Sequence, residues 1–288
     1  MAIASTLLAC TDLMYAQGDP DMSRDTSKAV SEDVRPSTHS LYLSGGYGDN
    51  MVYMGSVLSE KKPYYLVTGS YGYKDNIFAS ASLYHLSAFD PTISFSTFSL
   101  SYLHNLGKSF DVAATASWYS ANNTLTDTLF SSFMYGSASL GLDWNILYTN
   151  LTVSGIISAE SSLYLSLKNS RYFETPRFFR EKANLYFDPY FSLLFGSLTK
   201  TVTSEGTVIG VSAPFKSKKS STSGHGSSGT TSTYFSAMEL DLGLPVGLNL
   251  GKFSFEANPG YIIPLYDTSD DLAPSGFSIQ FSITMKLF

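Results

Sequence analysis

The sequence predicts an all-β chain, a transmembrane antiparallel up-and-down β-barrel of about 12 strands over residues 39–288. Three observations predict it. Past residue 40, apolar side chains recur at every second position in one segment after another, the period of a strand with two unlike faces. Charged residues make up only 15% of the 288, against roughly 25% in ordinary soluble domains. The connections between the alternating segments fall into a short set and a long set, as they do at the two ends of a membrane barrel.

The same composition sets other classes aside. Twenty Phe and twenty Tyr among so few charges disfavour disorder. The mature chain has no uninterrupted apolar stretch of about 18 residues, so an ordinary transmembrane helix is excluded. A barrel is not, because alternating strands average to neutral hydropathy. A net charge of −6 argues against nucleic acid as a partner. The single cysteine, Cys10, leaves no internal disulfide and no cysteine-based zinc site.

At the N-terminus, residues 1–18 read as a signal peptide, with an apolar start, then small residues, then a polar stretch. They lack the usual basic start, and Asp12 interrupts the apolar part, as in a segment truncated by a misplaced start. Cleavage after Gly18 is one reading. A second takes Leu7-Leu8-Ala9-Cys10 as a lipoprotein box, with Cys10 the lipidated residue, and a third is that neither occurs. Residues 19–38 are polar throughout and read as a linker.

The strands follow by parity. After LYLSGGYG at 41–48, Tyr65, Val67, Tyr71 and Tyr73 alternate with Thr68, Ser70 and Gly72, and Lys74-Asp75-Asn76 turns the chain. Ile77, Ala79, Ala81 and Leu83 then oppose Ser80, Ser82 and Tyr84, completing a hairpin. Phe98, Leu100 and Tyr102 oppose Thr97, Ser99 and Ser101; past the turn at 105–108, Phe110, Val112, Ala114, Ala116 and Trp118 oppose Asp111, Thr115 and Ser117. Further outward sets are Met134, Ala138, Leu140 and Leu142; Leu151 and Val153; and Leu163, Leu165 and Leu167. Phe187, Phe191, Leu193 and Phe195 face away from Asp188, Tyr190 and Ser192. Met238, Leu240 and Leu242 face away from Glu239 and Asp241, and Phe253 and Phe255 from Ser254 and Glu256. The last strand, GFSIQFSITMKLF, carries Phe277, Ile279, Phe281 and Ile283 on one face.

A soluble β-sandwich alternates in the same way, so connection length discriminates. On one side lie 74–76, 105–109, 143–146, 173–184 and 245–251; on the other 49–63, 88–94, 120–131, 158–161, 199–232 and 264–275. The second set is longer and reads as the outer side. The exception is 172–184, where Thr175 as N-cap and Pro176 at the first helical position predict one or two helical turns. A missed strand is the other reading of that segment.

With these strands and connections, the chain after residue 40 resembles bacterial outer-membrane β-barrel proteins of porin-like type, and its Tyr-rich, Ser-rich strands resemble those of Bacteroidota. The resemblance implies a bacterial outer-membrane location, contact with outer-membrane lipid and lipopolysaccharide, and insertion by the barrel-assembly machinery. It also implies that Phe277, Ile279, Phe281, Ile283 and Phe288 form the assembly signal. Phe288 departs from that pattern, sharing parity with Lys286 and Thr284; a local bulge or a frayed last residue would restore the phase.

Chemistry is sparse. Gly107-Lys108-Ser109 imitates the end of a phosphate loop but lies in a hairpin turn. His39, His85, His104 and His225 have no ligand spacing, and no H-E-x-x-H or G-x-S-x-G run exists. No catalytic, metal or cofactor site is expected, and the expectation is that the chain is not an enzyme. An outer-membrane lipid hydrolase using His85 or His104 with a wall serine is the alternative.

The inferred interior is more informative. Early strands turn mainly Ser, Thr, Ala and Gly inward, and later ones turn in Lys168, Asp188, Glu239, Asp241 and Glu256. Lys168 and Asp188 are spaced to pair across strands, and the three acids make one wall acidic. Residues 204–232 read as a flexible outer loop carrying Lys216, Lys218 and Lys219, and Asp270-Asp271 as a weak calcium candidate. The function expected is a pore for small polar solutes or ions. Its alternative is a plugged barrel serving surface structure or adhesion.

Overall fold

A computed structural model describes residues 38–158, 161–180, 182–203, 206–211, 230–266 and 275–288. The predicted export segment and linker (1–37, with Cys10), Lys216, Lys218, Lys219, His225 and Asp270-Asp271 lie outside the described residues.

In chain order the strands are β1 (His39–Gly48), β2 (Val52–Tyr53), β3 (Ser56–Val57), β4 (Tyr64–Tyr73), β5 (Ile77–Leu86), β6 (Phe95–Asn105) and β7 (Phe110–Ala121). A short helix, α1 (Asn123–Thr128), precedes β8 (Phe133–Asp143), β9 (Tyr148–Ile157), β10 (Ser162–Ser170), β11 (Phe173–Glu174), β12 (Ala183–Phe187) and β13 (Tyr190–Thr203). The last are β14 (Gly206–Val211), β15 (Thr230–Gly243), β16 (Val246–Leu250), β17 (Phe253–Pro264) and β18 (Gly276–Lys286).

Twelve of these form a closed antiparallel up-and-down barrel. Its wall runs β1, β4, β5, β6, β7, β8, β9, β10, β13, β15, β17, β18. It closes where β18 pairs with β1, from Tyr42↔Lys286 to Gly48↔Gln280. Closure leaves no free edge around the wall, which strands require in a medium that offers no water to unpaired backbone groups.

The period-two pattern becomes two faces. Along β4, buried and exposed residues alternate without a break, and on β6 Phe98 is 58% exposed beside Ser99 at 3%. Inward hydroxyls lie directly opposite one another and hydrogen-bond across the strands. Examples are Ser44 with Thr284 (2.8 Å), Thr68 with Ser82 (2.8 Å), Ser99 with Ser117 (2.9 Å) and Ser101 with Thr115 (3.0 Å). Small hydroxyl residues thus satisfy one another where the wall is buried.

Six segments lie outside these twelve: β2 and β3 pair with each other, β14 pairs with β13, and β11, β12 and β16 continue longer strands. β12 and β13 share one register against their neighbour, Phe187↔Val246 continuing as Tyr190↔Gly243. β15 and β16 likewise continue against β17, Gly243↔Gly260 passing to Val246↔Ala257. The breaks fall at Pro189 and Pro245, with Pro259 on the next strand, because proline has no N–H for the ladder. Their carbonyls still accept, from the N–H groups of Arg171 (3.1 Å), Asp188 (3.0 Å) and Leu244 (3.0 Å) respectively.

This continuity corrects the helix expected at 172–184. β11 extends the ladder of β10, and the Thr175 hydroxyl accepts the Leu185 N–H at 3.0 Å instead of capping a helix. A Phe178↔Ala183 bridge then closes a turn in which Phe179 and Arg180 adopt φ 48° and 58°. The inner connection expected at 245–251 is also strand, turning at Gly251 (φ 61°) and Lys252. At the outer end β13 runs on to Thr203 and pairs with β14, so part of the expected 199–232 loop is sheet.

Met238 is the second correction. The register shifts beside it, from Leu194↔Glu239 to Phe195↔Ala237. The bulge leaves Met238 fully buried in the interior cluster instead of on the outward face.

Candidate functional site

The connection at 49–63 is an outer loop in sequence and a plug in space. Met51, Val52, Tyr53, Met54, Val57 and Leu58 are all buried, which so apolar a run achieves only by folding back into the barrel. β2 and β3 pair around Met54-Gly55, with φ 48° and 78°, the two-residue turn that demands positive φ at both positions. The stem of this tongue is tied down by polar contacts. The Leu58 N–H donates to the Met51 carbonyl (2.7 Å), the Met51 N–H to Ser59 Oγ (2.8 Å), and the Ile279 N–H to Asp49 Oδ1 (2.9 Å).

From its root between β1 and β4, the tongue crosses to the far wall. The Tyr53 ring lies 5.7 Å from Tyr119, 6.5 Å from Phe133 and 6.3 Å from Tyr135, centroid to centroid. Gly55 sits against the bulge: a Cβ there would come within 2.6 Å of Met238 Cε. The Tyr266 hydroxyl donates to the Gly55 carbonyl at 3.4 Å. Val52 and Val57 pack with inward Ile262 of β17.

Around the tongue, the inward positions near the outer strand ends change from hydroxyl to aromatic. Tyr84 stacks on Phe95 (4.3 Å, 8° between planes) and Tyr119 on Phe133 (4.5 Å, 13°). The Asn122 side chain caps α1 by accepting the Thr124 N–H at 3.2 Å, and the segment delivers buried Leu125 and Phe130 onto this collar. Ile209 and Val211 of β14, with Phe89 and Tyr266, pack against the same cluster. Sequence reasoning gave the early strands a small, polar interior and missed this collar. Its signal was the aromatic residues at inward parity, Tyr84 and Tyr119, together with the apolar run in an outer connection.

Below the collar the predicted charges face inward. Glu239 is fully buried and Asp241 nearly so, and Glu256 lies on the adjoining strand β17. Two of these acids are reached by tyrosines lying flat over glycines. Tyr190 covers Gly243, where a Cβ would overlap its ring, and donates to Asp241 Oδ2 at 3.1 Å. Tyr186 covers Gly247 and donates to Glu256 Oε2 at 2.6 Å. A third tyrosine, Tyr148, donates to Asp111 at 3.0 Å. Glycine serves here because the ring occupies the space of its side chain.

Lys168 sits opposite Ser192, with Nζ 4.6 Å from the centre of the Tyr190 ring. Asp188 stands at the proline break, its N–H on the Pro245 carbonyl. At the inner rim, burial and the Glu174 carboxylate push the Tyr172 phenol up from its ordinary range. Along the closing seam, Ser44, Thr68, Glu256, Asn258 and Gln280 help to line a cavity of about 40 Å³, space for a water or two.

Of the described histidines, His85 and His104 lie at opposite ends of the barrel. His85 lies at the outer end of β5, stacked on Tyr65 (6.1 Å), its Nδ1 3.3 Å from the Pro91 carbonyl. His104 lies at the inner end of β6 beside Tyr102 (6.2 Å). Among the described residues no group of three or more His, Cys, Asp or Glu could hold a metal ion.

On the closing strand, Phe277, Phe281 and Ile283 are exposed on the outward face. The Leu287 N–H donates to the Leu41 carbonyl (2.8 Å) while the Leu41 N–H donates to the carbonyl of Phe288 (3.1 Å). Leu287 and Phe288 together therefore answer one residue of β1, as in a bulge, and Phe288 is 56% exposed.

No family model and no curated protein matches the sequence. Among solved structures the chain is similar to LpxR from Salmonella typhimurium, at 7% identity and TM-score 0.45, over 85% of this chain and 99% of that one. It is similar also to a bacterial polysaccharide outer membrane secretin, at 8% identity and TM-score 0.43, over 87% and 98%. A third is the beta domain of the Bordetella autotransporter BrkA, at 10% identity and TM-score 0.25, over 87% and 100%. The barrel's own form carries the location. An even number of antiparallel strands, a lipid-ready outward face, and short turns at one end against long connections at the other are the architecture of a bacterial outer-membrane barrel.

Proposed function

We propose that the protein is an outer-membrane barrel sealed at rest and working through its outer surface, as a structural or adhesive element, with no standing pore. The supporting observation is the tongue: Tyr53 lies across the lumen among Tyr119, Phe133 and Tyr135, all buried. A solute entering from outside would first have to displace that apolar packing. Outer-membrane lipid and lipopolysaccharide are the proposed surroundings, and the barrel-assembly machinery is the proposed reader of β18. A hydrolase is the weaker reading: the His85 contacts are the Pro91 carbonyl and the Tyr65 ring, and the His104 contact is the Tyr102 ring, none of them a serine.

A second reading, passage of small polar solutes or ions, is favoured by the hydroxyl-lined interior and by Glu239, Asp241 and Glu256 beneath the collar. It requires the tongue to move. Planar-bilayer recording of the purified wild type decides between the two: the sealed barrel is silent, and sustained conductance sinks the sealed reading.

A further inference from the structure

The tongue's stem and tip are held differently. At the stem, Asp49 is bonded to β18 through both its N–H and its carboxylate, at 3.2 and 2.9 Å. At the tip, Gly55 sits at φ 78° against the Met238 methyl, so a side chain there would be strained by its backbone and would have to push that methyl aside. The turn also places Met54 at φ 48°, a position such turns give to Asn, Asp or Gly. The tip conformation is therefore one that Met54 disfavours on its own and that packing in the collar maintains.

The location of the tip is equally specific. Met238 is the bulge residue, and the next residue along β15 is Glu239, where the inward face becomes hydroxyl and carboxylate. Above this contact the interior is aromatic, and directly below it the inward face turns to hydroxyl and carboxylate. Two paired residues per strand cannot hold a hairpin together in water. Once unseated, β2 and β3 would lose their structure together, giving the tongue two discrete states.

We propose that the tongue is a gate, latched by the seating of Gly55 on Met238, whose release opens the polar interior to the outside. The hinge is the stem, where Glu60 and Lys61 adopt φ 53° and 58° on the approach to β4. The ligand class admitted is small and polar, since the surface below the latch offers hydroxyls and carboxylates.

The test records single-channel currents from three purified proteins: wild type, Gly55→Val, and a variant with residues 51–58 replaced by Gly and Ser. Each is first shown to be folded by its heat-modifiable migration and far-ultraviolet circular dichroism. Wild type is expected to stay closed apart from rare openings. Gly55→Val, whose branched side chain is strained at φ 78° and displaces the Met238 methyl, should raise the open fraction by about tenfold or more, and the replacement should conduct continuously. A folded replacement that stays silent overturns the gate and leaves the seal standing. A wild type that conducts as fully as the replacement overturns both. If the replacement does not fold, Gly55→Val decides, and silence equal to wild type overturns the gate.

Discussion

The hydroxyl of Tyr186 meets the carboxylate of Glu256 at 2.6 Å by reaching over the intervening strand, its ring laid across Gly247. The bond joins β12 to β17 with β16 between them, so it clamps three strands below the proline breaks.

Removing that hydroxyl should be costly. Tyr186→Phe leaves the ring over Gly247 and deprives Glu256 of a donor, a loss of about 1.5–3 kcal/mol for a bond to a charged group. Urea titration of the protein in lipid vesicles measures it. A midpoint and slope equal to those of wild type would show that the bond contributes nothing to stability.

The outward face makes a second prediction. Leu100 is exposed at mid-strand on β6, between Ala79 and Ala116 of its neighbours. Leu100→Arg should destabilise the barrel by about 2–4 kcal/mol if that surface meets hydrocarbon, and Leu100→Ala by much less. Equal folding yields of the two variants into vesicles would show that the face does not lie in lipid.

The acidic wall is tested with the tongue removed. In the variant with 51–58 replaced by Gly and Ser, Glu239→Gln, Asp241→Asn and Glu256→Gln together should lower the preference for cations over anions, read as a shift of the reversal potential in a salt gradient. An unchanged reversal potential would place the conducting path away from these residues.

Phe288 offers a fourth. Its carbonyl, not its ring, bonds to Leu41, so Phe288→Ala should leave the stability of the purified barrel within about 0.5 kcal/mol of wild type. If the ring is read during assembly, the same variant should reach the outer membrane in reduced amount. Normal surface levels would refute a signal role for the ring.

The wall was legible in the sequence because period two is a local property: Tyr65, Val67, Tyr71 and Tyr73 face outward as their spacing requires. Glu239, Asp241 and Glu256 were legible for the same reason, since parity alone turns them inward. Met238 was misplaced because a bulge shifts parity by one residue and leaves no local mark. The helix expected at Thr175-Pro176 is absent because the ladder continuing from β10 takes the backbone groups that the helix would need, the Thr175 N–H donating to the Leu185 carbonyl. The tongue was missed for a different reason. Its apolar residues show no period, and where a loop folds depends on the Tyr119, Phe133 and Met238 it will meet, residues far away in the chain.

Pro189, Pro245 and Pro259 stand near one level on three adjoining strands, and each omits a donor from the ladder. A sheet resists bending through its rows of bonds, so a row thinned on three successive strands is a crease. The portion below it, β11, β12, β16 and the first half of β17, is a leaf held to the rest of the wall along one edge, where Phe253 to Asn258 of β17 pair with Met285 to Gln280 of β18. The row of bonds that β18 offers is thus what keeps the crease flat.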